Sequence, residues 1–240
     1  MNNIKYALLL SGFVLVTGAI ASALTVSPME ADFDPTGKGA SVVYTVSNES
    51  DLPLTIEVTV EGRKTAVDGT EILDFSQEVQ KNFAVFPGAT IIGPKSKKGI
   101  RVVYLGPKDL TTEQNYRVDI TQVPTQEQLH SNSGVAMFPK FHTSAFIHPK
   151  NVKADVKLIG SEADAKTIKL HFQNVGTQHR AVRKMALKVS DESGAAVLID
   201  HLTAANLITN FLAGESRDLV ISRPLSVKGK NVTVSLETLE

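Results

Sequence analysis

Leu54-Thr55-Ile56-Glu57-Val58-Thr59-Val60 alternates apolar and polar residues without a break. Side chains two apart share one face of an extended chain, so such a run offers one face to a core and one to water. The pattern recurs over 41–48, 100–105 and 116–123, each run bounded by Gly, Pro, Asn or Asp. No stretch carries an apolar stripe at helical spacing over three turns, although residues 201–212 have room for a short helix. The expected class is all-β. A composition of 42% hydrophobic and 21% charged residues is that of a folding chain, not a disordered one.

Residues 1–23, MNNIKYALLLSGFVLVTGAIASA, stand outside that pattern. Lys5 supplies a positive start, the stretch from Tyr6 to Ile20 is apolar, and Ala21-Ser22-Ala23 has the small residues a signal peptidase needs. This is the make-up of a secretory signal peptide, cut after Ala23 or after Ala21. The apolar run falls short of the ~20 residues that cross a bilayer, so no membrane insertion of the mature chain is expected. There is no cysteine. Outside the cytoplasm the fold must therefore rest on its core without disulfides, and thiolate nucleophiles, iron–sulfur clusters and zinc ribbons are excluded. With 25 basic and 25 acidic residues there is no field to draw nucleic acid.

After Pro149 the alternation restarts over 153–159, 167–173, 181–189, 195–199, 217–221 and 231–236. Turn signals separate the runs at Gly160, Asn174-Val175-Gly176, Glu192-Ser193-Gly194 and Gly214. Short strands at that spacing, about seven per ~100 residues, suggest immunoglobulin-like sandwiches. The expected organisation is a signal peptide at 1–23, a first sandwich over 24–148 and a second over 149–240.

Chemistry is sparse. The six histidines, His130, His142, His148, His171, His179 and His201, include no pair at metal-ligand spacing with a carboxylate between. His142 and His148 share parity on one expected strand, where surface or edge histidines are the usual case. There is no G-x-S-x-G elbow, Walker A loop or dinucleotide fingerprint. Gly93-Pro94-Lys95-Ser96-Lys97-Lys98-Gly99 lacks a phosphate loop's glycine spacing and is expected as a basic hairpin turn. Glu30, Asp32 and Asp34 form a short acidic run of the kind usually solvated. No enzymatic activity, metal or cofactor is expected.

Residues 134–148 are different: they read as one strand of about 14 residues, where strands usually run ~5–6. Val135, Met137, Pro139 and Phe141 fall on one face, and Ala136, Phe138, Lys140 and His142 on the other. In a small sandwich one apolar face of such a strand has nothing of its own chain to cover it. Pro139 withholds a ladder donor, which edge strands tolerate. A long, partly apolar edge invites aggregation unless it is meant to pair. The other reading of the same pattern is a strand buried in a larger sheet.

At this point the chain resembles the periplasmic chaperones of the chaperone–usher pilus pathway. Phe83-Ala84-Val85-Phe86-Pro87, Ile92-Gly93 and Gly99-Ile100-Arg101-Val102-Val103-Tyr104-Leu105-Gly106-Pro107 look like that family's strand-turn-strand region. Glu113, Tyr116-Arg117-Val118 and Gln122-Val123-Pro124 follow in the family's order, leading to a loop at 125–133, the long strand and Phe146-Ile147-His148-Pro149. Leu170-His171-Phe172-Gln173-Asn174-Val175-Gly176 with His179 resembles its N-x-G-x-x-H turn.

The resemblance implies two immunoglobulin-like sandwiches set at an angle with a cleft between them, and no enzymatic activity. It implies pilin subunits and an outer-membrane usher as partners. The chaperone lends a strand to a subunit whose sandwich lacks one, a mode for which chaperone–pilin complementation is a standing example. Val135, Met137, Pro139 and Phe141 are then the expected groove-filling face, with Ala136 and Phe138 the alternative register. Well-known members bind the pilin's C-terminal carboxylate with an Arg on the first strand and a Lys late in the donor strand. Alignment puts Glu30 and Ser144 at those positions. Neither is basic, a departure that resembles the archaic or alternative branches.

A buried carboxylate still needs a cation. Arg101 and Arg117, on strands expected to be neighbours, and Lys140 are the candidates. When free, the edge is expected to be capped in a dimer or covered by the 125–133 loop. A secreted two-sandwich adhesin using the same edge for a permanent partner is the alternative.

Overall fold

The computed structural model describes residues 24–124, 138–200, 210–228 and 231–238. The first sandwich comprises β1 (Leu24–Ser27), β2 (Glu30–Phe33), β3 (Ser41–Asn48), β4 (Leu54–Thr65), β5 (Glu71–Asp74), α1 (Gln77–Lys81), β6 (Phe83–Phe86), β7 (Ala89–Ile92), β8 (Ser96–Tyr104), β9 (Gln114–Val123) and β10 (Lys140–Ile147). One sheet runs β1-β3-β8-β6. The other runs β2-β10-β9-β4-β5, with β7 also paired to β4.

The alternation in β4 places its side chains as expected: Leu54, Ile56, Val58 and Val60 are buried, while Glu57 and Thr59 are exposed. The strand continues to Thr65, because Glu61, Gly62 and Arg63 are all buried and the ladder to β9 runs on through Glu61↔Arg117 and Gly62↔Tyr116. A Cβ on Gly62 would stand 3.1 Å from Asp74 Cβ and 3.2 Å from a Val79 methyl carbon. The bare glycine lets β5 and α1 close over β4. Between the sheets, Phe83 meets Phe33, Tyr104 and Tyr116 edge-on, with ring centroids 6.3, 5.3 and 4.8 Å apart. Such pairs add ~0.5–1.5 kcal/mol each beyond the area they bury.

Gly93–Gly99 is not a hairpin turn. β7 before it pairs with β4, and β8 after it pairs with β3 and β6, so the segment carries the chain from one sheet to the other. Lys95 takes a positive φ of 49° at the crossing.

The second sandwich comprises β11 (Val156–Ala163), β12 (Thr167–Asn174), β13 (Arg180–Ala181), β14 (Met185–Asp191), β15 (Ala196–Ile199), β16 (Asn210–Phe211), β17 (Ser216–Ser222) and β18 (Val232–Thr238). Its sheets run β11-β12-β17 and β15-β14-β18, with β13 and β16 as a short separate pair. Leu170, Phe172, Leu187, Val189, Phe211 and Leu219 lie in a core cluster separate from that of the first sandwich. The single strand expected over 181–189 is broken by a 3-10 turn at Val182–Lys184, which buries Val182 and Met185 at a spacing of three. Of the stretch 201–212, which has room for a short helix, residues 201–209 lie outside the described residues, and Asn210–Phe211 is strand.

Both sandwiches place a fully buried asparagine at the end of a central strand. Asn48 Nδ2 donates to the carbonyls of Leu52, Ile92 and Gly93, and its Oδ1 accepts from Ser50. Asn174 Nδ2 donates to the carbonyls of Gln178, Phe211 and Leu212, and its Oδ1 accepts from Asp155 and Gly176. Each amide satisfies loop carbonyls that would otherwise be buried without donors. Among the described residues no helix is long and apolar enough to cross a membrane.

Candidate functional site

One flank of β10 is paired throughout and the other only in part. β9 runs antiparallel beside Lys140–Ile147, whereas β2 lies parallel beside residues 144–147 alone. Among the described residues no strand pairs with Lys140, Phe141, His142 or Thr143 on the β2 flank. Backbone groups alternate flanks along a strand. Ser144 donates its N–H to Met29 on the β2 side, and Pro139 offers its carbonyl to Gln122 on the β9 side. The amides of Lys140 and His142 therefore face the open flank. The N–H that Pro139 lacks would have faced β9, so the donor it withholds is not one from the open edge.

Side chains alternate as well. Phe141, Ala145 and Ile147 pack against the first sandwich's core, and Thr143 donates its hydroxyl to the Val118 carbonyl. Lys140, His142 and Ser144 face the other way. There the buried Asp119 holds Lys140 Nζ at 2.7 Å and His142 Nδ1 at 2.9 Å. A sheet that continued this one across the open flank would keep its own core on the Phe141 side.

Where β2 takes over the flank, Ser144 stands opposite Glu30. These are the two positions at which the sequence lacks the expected cations, and the charge arrives from other strands. Arg63 on β4 and Arg117 on β9 both donate to Ser144 Oγ, at 3.2 and 2.9 Å. Glu71 on β5 braces them, 2.6 Å from Arg63 Nε and 2.7 Å from Arg117 Nη2. Burial and the charge of Arg117 pull Arg63 below the ordinary guanidinium range. Burial opposes ionisation of Glu71, yet its bonds to Arg117, with help from Arg63, hold it below the usual carboxylate range.

The second sandwich supplies the facing wall. Asn210 donates Nδ2 to Glu30 at 3.0 Å, and Arg217 pairs with Glu215 while lying 5.4 Å from the Phe211 ring centroid. The resulting cleft has a volume of about 590 Å³. An anion entering beside Ser144 meets two forked, partly dehydrated guanidinium groups, the geometry that suits a carboxylate.

A second polar cluster joins the two sandwiches. Glu113, buried just before β9, accepts from His148 Nδ1 at 3.0 Å and His179 Nδ1 at 2.9 Å, and the His179 backbone N–H lies 3.3 Å from both carboxylate oxygens. His148 Nε2 reaches Asp32 at 2.7 Å, and His179 stacks on Phe146 with ring centroids 3.8 Å apart. Burial works against the charge of His148, but its bonds to Asp32 and Glu113 raise its pKa to about 9.

The turn that carries His179 is legible residue by residue. Asn174 gathers the loop carbonyls. Gly176 lies where a Cβ would be 2.3 Å from the Lys153 carbonyl oxygen and 2.4 Å from the Asp155 nitrogen, so only a glycine lets 153–155 pass. Thr177 offers its carbonyl to the Glu113 N–H at 2.9 Å.

The expected site residues divide accordingly. Val135, Met137 and Ala136 lie outside the described residues. Phe138 and Pro139 precede the strand, whose described part is the eight residues of β10, not the longer span expected. Phe141 is half-buried against its own core, so only part of it is free to fill a partner's groove. Arg117 lines the cleft. Arg101 does not: β8 lies in the opposite sheet from β9, and Arg101 is exposed there between Val43 and Phe86. Lys140 is held by Asp119. Arg63 escaped the sequence reading because it follows Glu61-Gly62, where the alternation of β4 stops. Glu30 and Asp32 are exposed, as a solvated run should be, and each also meets a polar partner, Asn210 and His148.

Residues 33–153 match the sequence profile described as "Pili and flagellar-assembly chaperone, PapD N-terminal domain". A search of curated proteins finds no match. Among solved structures the chain is similar to one in the CsuC–CsuE chaperone–tip adhesion subunit pre-assembly complex from archaic chaperone–usher Csu pili of Acinetobacter baumannii. The identity is 11%, the TM-score 0.59, and the coverage 90% of this chain and 97% of that one. It is similar to the class 5 fimbriae chaperone CfaA at 14% identity and a TM-score of 0.56, covering 89% and 98%. A third similar chain comes from the Salmonella enterica SafA pilin in complex with the SafB chaperone, at 13% identity and a TM-score of 0.55, covering 90% and 96%.

Proposed function

Because this chain belongs to the pili and flagellar-assembly chaperone family, we propose that it lends the open flank of β10 to a pilin subunit whose own sandwich lacks a strand. Chaperones of this family are not enzymes; they serve pilus assembly in the periplasm. The leader-like residues 1–23 support delivery of this chain to that compartment. Solved relatives of the same fold are held in complexes with a pilin and with a tip adhesion subunit, which supports subunits of that kind as partners here. An outer-membrane usher is the partner that receives the subunit next.

The observation that carries the reading is the unpaired flank at residues 140–143, ending at Ser144 beside Arg63 and Arg117. Amides of Lys140 and His142 supply pairing, and the parity of Phe141 directs apolar side chains toward the partner's core. In the sequence Val135, Met137 and Pro139 share that parity. Arg117 with Arg63 takes the role of carboxylate anchor, in place of the cations missing at Glu30 and Ser144.

Co-expression with a candidate pilin in a bacterial periplasm tests this. The unmodified chain is expected to yield a soluble one-to-one complex. Met137→Asp, which would desolvate a charge in an apolar groove, is expected to fold normally but leave the pilin degraded. Equal protection by both chains would overturn the register, and equal protection by Phe138→Asp as well would overturn strand lending.

A further inference from the structure

We propose that Glu113, His148 and His179 form a divalent transition-metal site, with Zn²⁺ the ion their donor set suits, bridging the two sandwiches. The donor atoms of the three side chains all lie within 4.8 Å of one another, contributed by the segment before β9, the end of β10 and the turn before β13. Glu113 Oε2 is 3.0 Å from His148 Nδ1 and 2.9 Å from His179 Nδ1. Zinc bonds of ~2.0–2.1 Å set tetrahedral ligand atoms about 3.3 Å apart. The two carboxylate–imidazole edges need only a few tenths of an ångström of opening to admit the ion, which replaces the protons now shared with Glu113 and releases them to solvent.

The surroundings hold the ligands as metal sites do. Asp32 takes His148 Nε2 at 2.7 Å, the carboxylate–histidine arrangement that fixes which ring nitrogen faces a metal. Phe146 stacks within 16° of coplanar on His179 and sets that ring's plane. With both rings neutral, the carboxylates of Glu113 and Asp32 balance a dication. A groove of about 400 Å³, lined in part by Asp32, His148 and His179, gives an ion a way in. A bound metal would tie the first sandwich to the second through coordinate bonds. It acts independently of the strand that β10 lends.

The purified chain, stripped with a chelator, is titrated with ZnCl₂ alone by calorimetry. One saturable site is expected, lost in His179→Ala and Glu113→Gln and weakened about 10–100-fold in Asp32→Asn. His171→Ala, which removes a histidine paired instead with Asp218, should leave it intact. Absence of saturation, or a site that survives in both ligand variants, overturns the proposal. Because Glu113→Gln also breaks a contact between the sandwiches, Co²⁺ bound to the unmodified chain gives a second readout. Intense visible d–d bands of a tetrahedral ion support the site, and the weak spectrum of hydrated Co²⁺ overturns it.

Discussion

Arg117 divides its guanidinium between two acceptors, Nε and Nη2 on Glu71 and Nη1 on the Ser144 hydroxyl. The hydroxyl is the weaker acceptor, since a hydrogen bond to an ionised oxygen is roughly twice as strong as a neutral one. A subunit's terminal carboxylate placed beside Ser144 therefore offers Arg117 a better partner than it has in the free chain. Charged hydrogen bonds contribute ~1.5–3 kcal/mol, so Arg117→Ala is expected to weaken pilin capture about 10–100-fold. A pilin extended past its C-terminus, with its carboxylate displaced, should lose affinity similarly, and the two changes together should cost little more than either. Additive losses would remove Arg117 from the anchor. The sequence made Arg117 visible because it sits in a clean alternating strand. Arg63 was hidden because Glu61, Gly62 and Arg63 look like the polar end of a strand, and only the pairing of β4 with β5 and β9 brings Arg63 to Glu71 and Ser144.

At the scale of elements, the strands were legible wherever one face is apolar and one polar, and were misjudged where both faces are engaged. β8 and β12 followed their alternation, and β4 did so as far as Val60, while the segment at 181–189 did not, because a 3-10 turn spaces Val182 and Met185 by three. β10 combines the two situations: its later half is covered on both faces, while its start has a side chain on the core and a backbone flank without a strand. That division separates two substitutions. Phe141→Asp places a charge against the first sandwich's own core as well as the partner, and is expected to lower the chain's own melting temperature and its capture of pilin together. Met137→Asp is expected to affect capture alone. Thermal melts of both variants beside the co-expression assay check the contrast, and an unchanged melt for Phe141→Asp would sink the inward placement of that side chain.

The cleft was the least legible part, since it exists only once two sandwiches with separate cores face each other. What joins them is mostly polar: Glu113 N–H to the Thr177 carbonyl and Asp218 N–H to the Val67 carbonyl, both at 2.9 Å, with Asn210 to Glu30 at 3.0 Å. An interface of that character leaves each sandwich to melt largely on its own core. Leu170 is fully buried in the second core and absent from the first. Leu170→Ala typically costs ~2–5 kcal/mol, which in a domain of this size lowers the midpoint on the order of 10 °C or more. Calorimetry of that variant is expected to resolve two transitions, with the lower one shifted and the upper one, carrying Phe83 and its ring partners, unmoved. Between the two, β10 and its open flank persist, but Asn210 and Arg217 no longer form the facing wall, so pilin capture should fail although the lending strand is intact. One transition that moves as a whole would mean that the polar bridges couple the cores, and that the cleft is set by the molecule as a single cooperative unit.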